Sequence, residues 1–337
     1  MSHEALESRK PLLDVRGLKK YFPVKGPLGT LGGVKSYVKA VNDVSFQLHA
    51  GETLGIVGES GCGKSTMGRT ILRLTDPTAG QAFYGDQDIF QLSGKELQKI
   101  RRDMQMVFQD PFSSLNPRKR IGQILEEPLA IHSIGDPKER TERVMELMHK
   151  VGLQVDHYFR YPHEFSGGQR QRIGLARALV VNPQIVISDE PVSALDVSIQ
   201  SQIINLLQEL QAEYKLTYLF IAHDISVVRH ISDRIGVMYL GQMVEQAPTE
   251  SLFANPLHPY TQALLSAVPI PNPQRKKERI ILRGEIPSPM NPPSGCIFHT
   301  RCPHAMDVCK QEVPSQIEAA SRHMVSCHLY TDSLTRA

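Results

Sequence analysis

The chain has 337 residues, of which 38 are Lys or Arg and 35 are Asp or Glu, so its formal net charge at pH 7 is +3. A charge so near balance argues against a nucleic-acid coat protein, and a hydrophobic content of 41% argues against wholesale disorder. No run approaches the ~18 apolar residues of a membrane span. The first residues lack the apolar segment of a signal peptide, so we expect the protein on the cytosolic side.

Short apolar runs alternate with helical patterns before a proline-rich end. Such alternation predicts an α/β fold with a largely parallel sheet covered on both faces. The helical block at about 121–180 interrupts the alternation and predicts an inserted subdomain. The predicted elements, in chain order, are a strand at Thr53–Val57, a helix at Lys64–Leu74, an apolar run at Met104–Phe108, a mostly helical segment at Ile121–Val151, a helix at Gly168–Val181, a strand at Gln184–Ser188, a helix at Val197–Leu210, a strand at Thr217–Ala222, a helix at Ile225–Ile231 and a strand at Ile235–Leu240.

Composition changes near the end of the chain. Of the 23 prolines, 11 lie at or after Pro256, and four of the five cysteines lie in the same region. This shift predicts a domain boundary near 255–270 and a second, turn-rich domain behind it.

A glycine-rich segment follows the first predicted strand and leads into the first predicted helix. It fits G-x-x-x-x-G-K-[ST], whose backbone N–H groups curl around a phosphate while the Lys reaches the β- and γ-phosphates and the Ser hydroxyl ligates Mg²⁺. A chance glycine-rich turn is the alternative. The residues of this phosphate loop are Gly58, Glu59, Ser60, Gly61, Cys62, Gly63, Lys64, Ser65 and Thr66.

Polar residues follow three other predicted strands. Asp189 and Glu190 end one of them, where the first carboxylate can hold Mg²⁺ and the second can orient or deprotonate an attacking water. His223 follows another strand and could sense the γ-phosphate, whereas Gln109 follows a third and could contact the Mg²⁺ or the water. Each residue alone is an ordinary surface residue, and only the phosphate loop upstream favours the functional interpretation.

A second anion-binding helix start is predicted at Ser166, Gly167, Gly168 and Gln169, which we call the second cradle. Ser is a good N-cap, and two glycines expose backbone N–H groups. One nucleotide hardly needs two such helix starts from one chain. We therefore expect the second cradle to serve the nucleotide of another molecule, with a simple capped helix as the alternative.

Taken together, these residues resemble the ATPase subunit of an ATP-binding-cassette (ABC) transporter over about residues 12–250. The motifs that carry the resemblance are GESGCGKST at 58–66, Gln109, FSGGQ at 165–169, IVISDE at 185–190, SALD at 193–196 and His223. Phe165 departs from the commoner Leu. The resemblance implies a P-loop NTPase fold with a RecA-like core, a helical subdomain at about 110–182 and an N-terminal antiparallel β region. It also implies a short N-terminal segment at 1–10, an ATPase domain at 11–257 and a small, irregular C-terminal domain at 258–337. The C-terminal domain is here called the tail region.

The resemblance also implies roles for single residues. It makes Lys64 and Ser65 ligands of phosphate and Mg²⁺, and it makes Gln109 a link to the helical subdomain. Tyr21 would stack on adenine, with Phe22 as a competing choice. The remaining roles are Asp189 for Mg²⁺, Glu190 as the catalytic base, Ser193–Asp196 at a dimer interface, His223 as the switch histidine, and 108–120 as the segment beside which permeases dock.

Two tail motifs, HPYTQALLSAVP at 258–269 and GEIPSPMNPPSGC at 284–296, resemble the extension of di- and oligopeptide importer ATPases. This implies ATP and Mg²⁺ as cofactors, and as partners a second related ATPase, two transmembrane permeases and a periplasmic or lipid-anchored peptide-binding protein. It places the protein peripherally on the cytoplasmic face of the inner membrane. It implies no nucleic-acid partner. Nickel or antimicrobial-peptide uptake is an alternative, and a soluble ABC ATPase of DNA repair or translation is an alternative of another class.

The tail cysteines, Cys296, Cys302, Cys309 and Cys327, are spaced C-x₅-C-x₆-C-x₁₇-C. Clustered thiolates in a cytosolic protein suggest Zn²⁺ or an iron–sulfur cluster. The absence of C-x₂-C pairs favours a [4Fe–4S] cluster, as does the family resemblance. Reduced structural thiols remain an alternative, as does a mixed zinc site with His299, His304, His323 or His328.

Overall fold

The computed structural model describes residues 10–25, 34–110, 114–193, 195–268 and 279–331. These residues form two compact units. The first unit contains residues up to 12, 48–53 and 84–222, and the second contains 13–47, 54–83 and 223 onward. Each unit is described by itself.

Strands and helices are numbered in chain order. The strands are β1 (Leu13–Lys25), β2 (Val34–Leu48), β3 (Thr53–Val57), β4 (Ala79–Tyr84), β5 (Gln87–Asp88), β6 (Met104–Val107), β7 (Ile185–Asp189), β8 (Thr217–Ile221), β9 (Arg234–Tyr239), β10 (Gln242–Pro248), β11 (Ile317–Ala320) and β12 (His323–Val325). The α-helices are α1 (Lys64–Ile71), α2 (Gly94–Asp103), α3 (Ile121–Ile131), α4 (Pro137–Lys150), α5 (Gly167–Leu179), α6 (Val197–Tyr214), α7 (Ile225–Ile231), α8 (Thr249–Ala254), α9 (Pro259–Ser266), α10 (Val308–Gln311) and α11 (His328–Thr331).

The first unit contains three parallel strands in the order β8-β7-β6. Ile185 is the register partner of Met104 on one side and of Thr217 on the other. Every residue of β7 and β8 is buried, which agrees with the mostly apolar sequence of both strands. Because the strands are parallel, their carboxyl ends meet at one edge, as the sequence predicts.

The helices of the first unit include α3, α4 and α5, and α3 packs against the other two. The predicted helical segment at 121–151 is in fact two helices. The break has a local cause, because Ser133 and Gly135 have positive φ angles of 55° and 64°. Asp136 then caps α4 by accepting hydrogen bonds from the N–H groups of Lys138 and Glu139.

The second unit contains five strands in the order β11-β12-β10-β9-β3. β3 and β9 are parallel, whereas β9–β10, β10–β12 and β11–β12 are antiparallel pairs. The last two strands belong to the tail region, so that region extends a sheet that also contains the strand before the phosphate loop. A second sheet in this unit contains β2, β1 and β4 in that order.

Within the part of the chain that the structure describes, no helix combines the length and the apolar character that crossing a membrane requires.

Candidate functional site

The phosphate loop lies in the second unit between β3 and α1. Its glycines have positive φ angles, 155° at Gly58, 78° at Gly61 and 104° at Gly63. A Cβ added at Gly58 would lie 2.1 Å from the carbonyl O of Met238, and one at Gly63 would lie 1.9 Å from the carbonyl O of Ala40. Both positions therefore require glycine for space as well as for conformation. The loop adopts the curled form that the sequence motif predicts.

Lys64 begins α1 and is buried, with its Nζ donating hydrogen bonds to two carbonyl oxygens of its own loop. The distances are 2.8 Å to Gly58 O and 3.1 Å to Glu59 O. Cys62 is buried beside it, with Sγ 3.8 Å from Nζ. Burial raises the pKa of the Cys62 thiol. Cys62 is thus a protonated, space-filling residue rather than a reactive thiolate.

Two residues of the tail region bind the phosphate loop at Glu59. The Glu59 N–H donates to the hydroxyl oxygen of Tyr260 at 2.8 Å. Arg301 Nη1 donates to Glu59 Oε2 at 2.8 Å, and its Nη2 donates to Oε1 at 3.0 Å. The sequence patterns predict no role for these two tail residues at the phosphate loop. A local pattern could not reveal the pair, because Glu59 and Arg301 are 242 positions apart in the sequence.

Three other residues of the second unit were predicted to contact nucleotide. The half-buried Tyr21 lies in β1, and its hydroxyl donates to Asn42 Oδ1 at 2.5 Å. The neighbouring Phe22 ring is 38% exposed, with Lys20 Nζ 4.8 Å from its centroid. His223 is exposed and directly precedes Asp224, the residue that caps α7. Both aromatic residues remain candidates for adenine stacking.

In the first unit, the acidic pair lies at the carboxyl end of β7. Asp189 is fully buried as the last residue of the strand. Glu190 follows it with φ = 48°, and its N–H donates to Ile221 O at 2.9 Å. Gln109, just after β6, donates from Nε2 to Glu190 Oε2 at 2.7 Å. The structure therefore brings together the acidic pair and the glutamine that the sequence predicted for water and Mg²⁺.

The second cradle begins α5 in the same unit. Ser166 Oγ accepts a hydrogen bond from Gln169 N at 3.3 Å, and Gln169 Oε1 accepts one from Ser166 N at 3.0 Å. This reciprocal pair is a capping box, and the N–H groups of Gly167 and Gly168 belong to the same first turn. Phe165 is buried and its ring packs edge-on against His157, with centroids 5.0 Å apart. Its departure from Leu is therefore a change of core packing.

Two predicted contact segments of the first unit are described in part. In Ser193–Asp196, Ala194 lies outside the described residues, and Ser193 Oγ donates to Glu190 O at 3.1 Å. Val197, next along the chain, is 78% exposed. In the segment 108–120, residues 111–113 lie outside the described residues.

The tail cysteines lie in the second unit as free thiols, three of them buried and Cys302 partly exposed. The N–H of Cys296 donates to Cys309 O at 2.8 Å. Burial is the main cause that raises the pKa of Cys327, to about 11, and nearby cysteine charges add to it. Among the described residues, however, no group of three or more His, Cys, Asp or Glu side chains is arranged to hold a metal ion. The predicted iron–sulfur cluster and its zinc alternative therefore receive no support from the arrangement.

Two family models match the chain. The ABC transporter model matches residues 41–193, which include the phosphate loop, Gln109, the second cradle and the acidic pair. The model of the oligopeptide/dipeptide transporter C-terminal region matches residues 244–309.

Close relatives match over almost the whole length. The oligopeptide transport ATP-binding protein AppF of Bacillus subtilis is 59% identical, over 96% of this chain and 99% of that protein. The dipeptide transport ATP-binding protein DppF of Haemophilus influenzae is 50% identical, over 97% of this chain and 99% of that protein.

Solved structures share the fold. The dimeric post-hydrolysis structure of the ATP-binding cassette MJ0796, bound to ADP and Pi, has a TM-score of 0.63 at 31% identity and covers 70% of this chain and 98% of that one. The predicted α/β cassette fold and ATPase activity are thereby confirmed. The chain belongs to the ATP-binding proteins of ABC transporters, among those that carry the oligopeptide/dipeptide transporter C-terminal region.

Proposed function

We propose that this chain is the ATP-hydrolysing subunit of an importer that takes up dipeptides or oligopeptides. The observation that carries the proposal is the 2.7 Å hydrogen bond from Gln109 to Glu190, next to the buried Asp189. An amide, a carboxylate and a buried acid thus lie together at the carboxyl ends of β6 and β7, where such groups can bind Mg²⁺ and can orient and deprotonate an attacking water. The peptide substrate is supported by the relatives AppF and DppF, whose names specify oligopeptide and dipeptide transport.

In this proposal the phosphate loop binds the nucleotide. Its N–H groups and the start of α1 attract the phosphates, and Lys64 would exchange its two loop carbonyls for phosphate oxygens. The Ser65 hydroxyl is the Mg²⁺ ligand proposed for this unit. Bound Mg²⁺ supplies positive charge that neutralises the phosphates.

In this proposal the acidic pair and Gln109 carry out the hydrolysis. Asp189 and the Gln109 side chain offer oxygen ligands of the kind that Mg²⁺ prefers. Glu190 accepts the proton of the attacking water, and Gln109 orients its carboxylate through the observed hydrogen bond. His223, exposed before α7, contacts the γ-phosphate in this proposal.

The second cradle and the need to move a peptide across a membrane both imply partner proteins. The cradle N–H groups bind the γ-phosphate held by a second, related ATPase subunit, so ATP joins the two subunits and its hydrolysis releases them. Two permeases, docked beside the segment 108–120, and an external peptide-binding protein complete the importer. The chain then lies peripherally on the cytoplasmic face of the inner membrane.

Uptake by the assembled transporter tests this function. Vesicles that contain the co-produced permeases and both ATPases should accumulate a labelled dipeptide with the wild-type chain. They should fail to do so with Glu190→Gln, a change that leaves ATP binding intact. Glu209→Gln, the same change at an exposed position of α6, is the matched control. Accumulation of nickel without peptide, or salt-sensitive DNA binding by a chain that never sediments with membranes, would reject the peptide importer.

We also propose, from the donor set alone, that the tail cysteines hold a [4Fe–4S] cluster with a structural role. The support is the donor set, because four thiols lie between Cys296 and Cys327 in the sequence. Iron and acid-labile sulfide analysis of anaerobically purified protein tests it. Stoichiometric zinc, or neither metal, rejects the cluster.

A further inference from the structure

The phosphate loop is joined to the tail region by a partly buried ion pair and by a hydrogen bond from the Glu59 backbone N–H to the Tyr260 hydroxyl. The Arg301 side chain is 8% exposed and that of Glu59 is 24% exposed. Both Glu59 carboxylate oxygens accept from Arg301, so the pair is bidentate. Such pairs fix geometry as well as charge, because the planar guanidinium matches the planar carboxylate.

Arg301 is itself held by Tyr239, the last residue of β9. Its guanidinium lies 5.8 Å from the centroid of the Tyr239 ring, and Nη1 is 3.4 Å from the Tyr239 hydroxyl. Tyr239 in turn packs against Tyr260 and Phe298, with ring centroids 4.8 and 5.2 Å away. The bidentate bond to Glu59 raises the pKa of Arg301 further, so the guanidinium is charged at any physiological pH. The ion pair is thus attached to a packed aromatic cluster.

Glu59 links this cluster to the phosphate-binding lysine. Its side chain binds Arg301, its N–H donates to Tyr260 and its carbonyl O accepts from Lys64 Nζ. Three groups of one residue are therefore fixed by three partners. A shift of the tail region at Arg301 or Tyr260 would move the loop that holds Lys64.

The charges of Glu59 and Arg301 also affect how well the loop attracts the phosphates. Glu59 places a carboxylate in a loop that has to attract a polyanion, and a carboxylate without compensation would repel it. Arg301 neutralises that charge from the side of the tail region. Removal of Arg301 alone would leave a partly buried negative charge in the phosphate loop, and removal of both charges would not.

We propose that Arg301 is a positioning residue for nucleotide binding, which acts through Glu59 on the conformation and charge of the phosphate loop. Tyr260 supports the same residue from its N–H group. The proposal rests on the proposed role of the phosphate loop in binding ATP. It makes the tail region part of the nucleotide-binding apparatus as well as a family-specific extension.

A charge-pair cycle on the full chain tests this proposal with a fluorescent ATP analogue and Mg²⁺. Arg301→Met should raise the Kd about tenfold, because it leaves the Glu59 carboxylate uncompensated in the loop that binds the phosphates. Glu59→Gln/Arg301→Met should recover most of that loss. Arg301→Lys, which restores the charge without the bidentate geometry, should fall between wild type and Arg301→Met. Arg283→Met, at an exposed arginine of the same region, is the matched control and should bind like wild type.

The Tm of each variant shows whether the variant is folded, so that a higher Kd can be assigned to weaker binding and not to unfolding. If Arg301→Met does not fold, Tyr260→Phe removes only the hydroxyl that accepts from Glu59 N–H, and it should raise the Kd by about threefold. An unchanged Kd in folded Arg301→Met or Tyr260→Phe overturns the proposal. So does a double variant that binds no better than Arg301→Met. Failure of the wild-type chain to bind the analogue would reject the proposed function of the phosphate loop instead.

Discussion

Glu190 is a non-glycine residue in the left-handed region of backbone space, with φ = 48°. This conformation costs a residue with a side chain about 1–2 kcal/mol. Its own backbone groups hold it there, because its N–H donates to Ile221 O and its carbonyl O accepts from the Ser193 hydroxyl. In this conformation the Glu190 carboxylate accepts the hydrogen bond from Gln109 Nε2.

A comparison of two Glu190 variants should reveal this strain. Both Glu190→Gln and Glu190→Gly should lose ATP turnover by ~100-fold or more, because neither carries the base. Glu190→Gly should be more stable than Glu190→Gln by about 1 kcal/mol, because glycine adopts positive φ without a Cβ penalty. Denaturant unfolding of both proteins measures the difference. A glycine variant that is less stable than the glutamine variant would show that the turn is unstrained.

At the scale of the element, Ser166 has two separable roles at the start of α5. Its Oγ caps the helix by accepting from Gln169 N, and it lies at the exposed end where the second cradle is proposed to meet a phosphate. A substitution can remove one role and keep the other.

Ser166→Ala should lower the free energy of unfolding by about 1 kcal/mol, because it removes the N-cap. Ser166→Asp should keep that stability, since Asp is an equally good cap, yet it should impair ATP hydrolysis in the assembled complex because its charge repels the γ-phosphate. Thermal unfolding and phosphate release measure the two effects. Normal hydrolysis by the Asp variant would argue against the proposed role of the cradle.

The start of α9 is anchored by the fully buried carboxylate of Glu245. It accepts from Leu257 N at 2.8 Å, from His258 N at 3.0 Å and from His323 Nε2 at 2.6 Å. His258 Nδ1 accepts from Tyr260 N at 3.1 Å. This network joins β10, α9 and β12, and it fixes the backbone of Tyr260, which supports the phosphate loop.

His258 should make stability depend on pH. Burial lowers its pKa from 6.5 to about 4. Between pH 6.5 and 4 the unfolded chain binds a proton that the folded chain does not, so the free energy of unfolding should fall by up to about 3 kcal/mol as pH falls through this window. His258→Asn keeps an acceptor for Tyr260 N–H and removes the titration. Unfolding at pH 7 and pH 4.5 should show a smaller loss for the variant; an equal loss would assign the effect to other groups.

What the sequence predicts about the elements depends on how local their causes are. The sequence predicts β7 and β8 to within one residue at each end, because both strands are buried and mostly apolar. The prediction of one mostly helical segment at 121–151 overlooks Gly135-Asp136-Pro137, which carries a turn and an N-cap signal. β1, with its many charged residues, has no apolar run and was implied only by the family resemblance.

At the scale of the whole molecule, the motifs for the phosphate loop, the acidic pair and the second cradle could be read from the sequence. Each motif is a short segment, and the spacing of its residues is set by the ligand that they bind. The Glu59–Arg301 pair could not, because it depends on how the tail region packs within the second unit. Tertiary contacts of this kind have no periodicity or spacing in the sequence.

Pairing of two ATPase subunits should depend on nucleotide. With its partner ATPase, Glu190→Gln should form a stable complex in Mg-ATP and separate in Mg-ADP, because an unhydrolysed γ-phosphate keeps both helix starts engaged. Addition of Ser166→Asp to the same chain should reduce that association. Sedimentation velocity measures it, and a complex equally stable in ATP and ADP would contradict the shared-nucleotide arrangement.

The supports of the phosphate loop have a consequence for biosynthesis. Tyr260 and Arg301 follow Glu59 by 201 and 242 positions, so the ribosome makes the loop long before it makes the residues that hold it. Closure of such distant contacts is slow and comes late in folding. A nascent or truncated chain that ends before Arg301 therefore lacks the neutralised, fixed form of its nucleotide loop. If Arg301 positions the phosphate loop as proposed, a chain must extend past Arg301 before it binds ATP with full affinity.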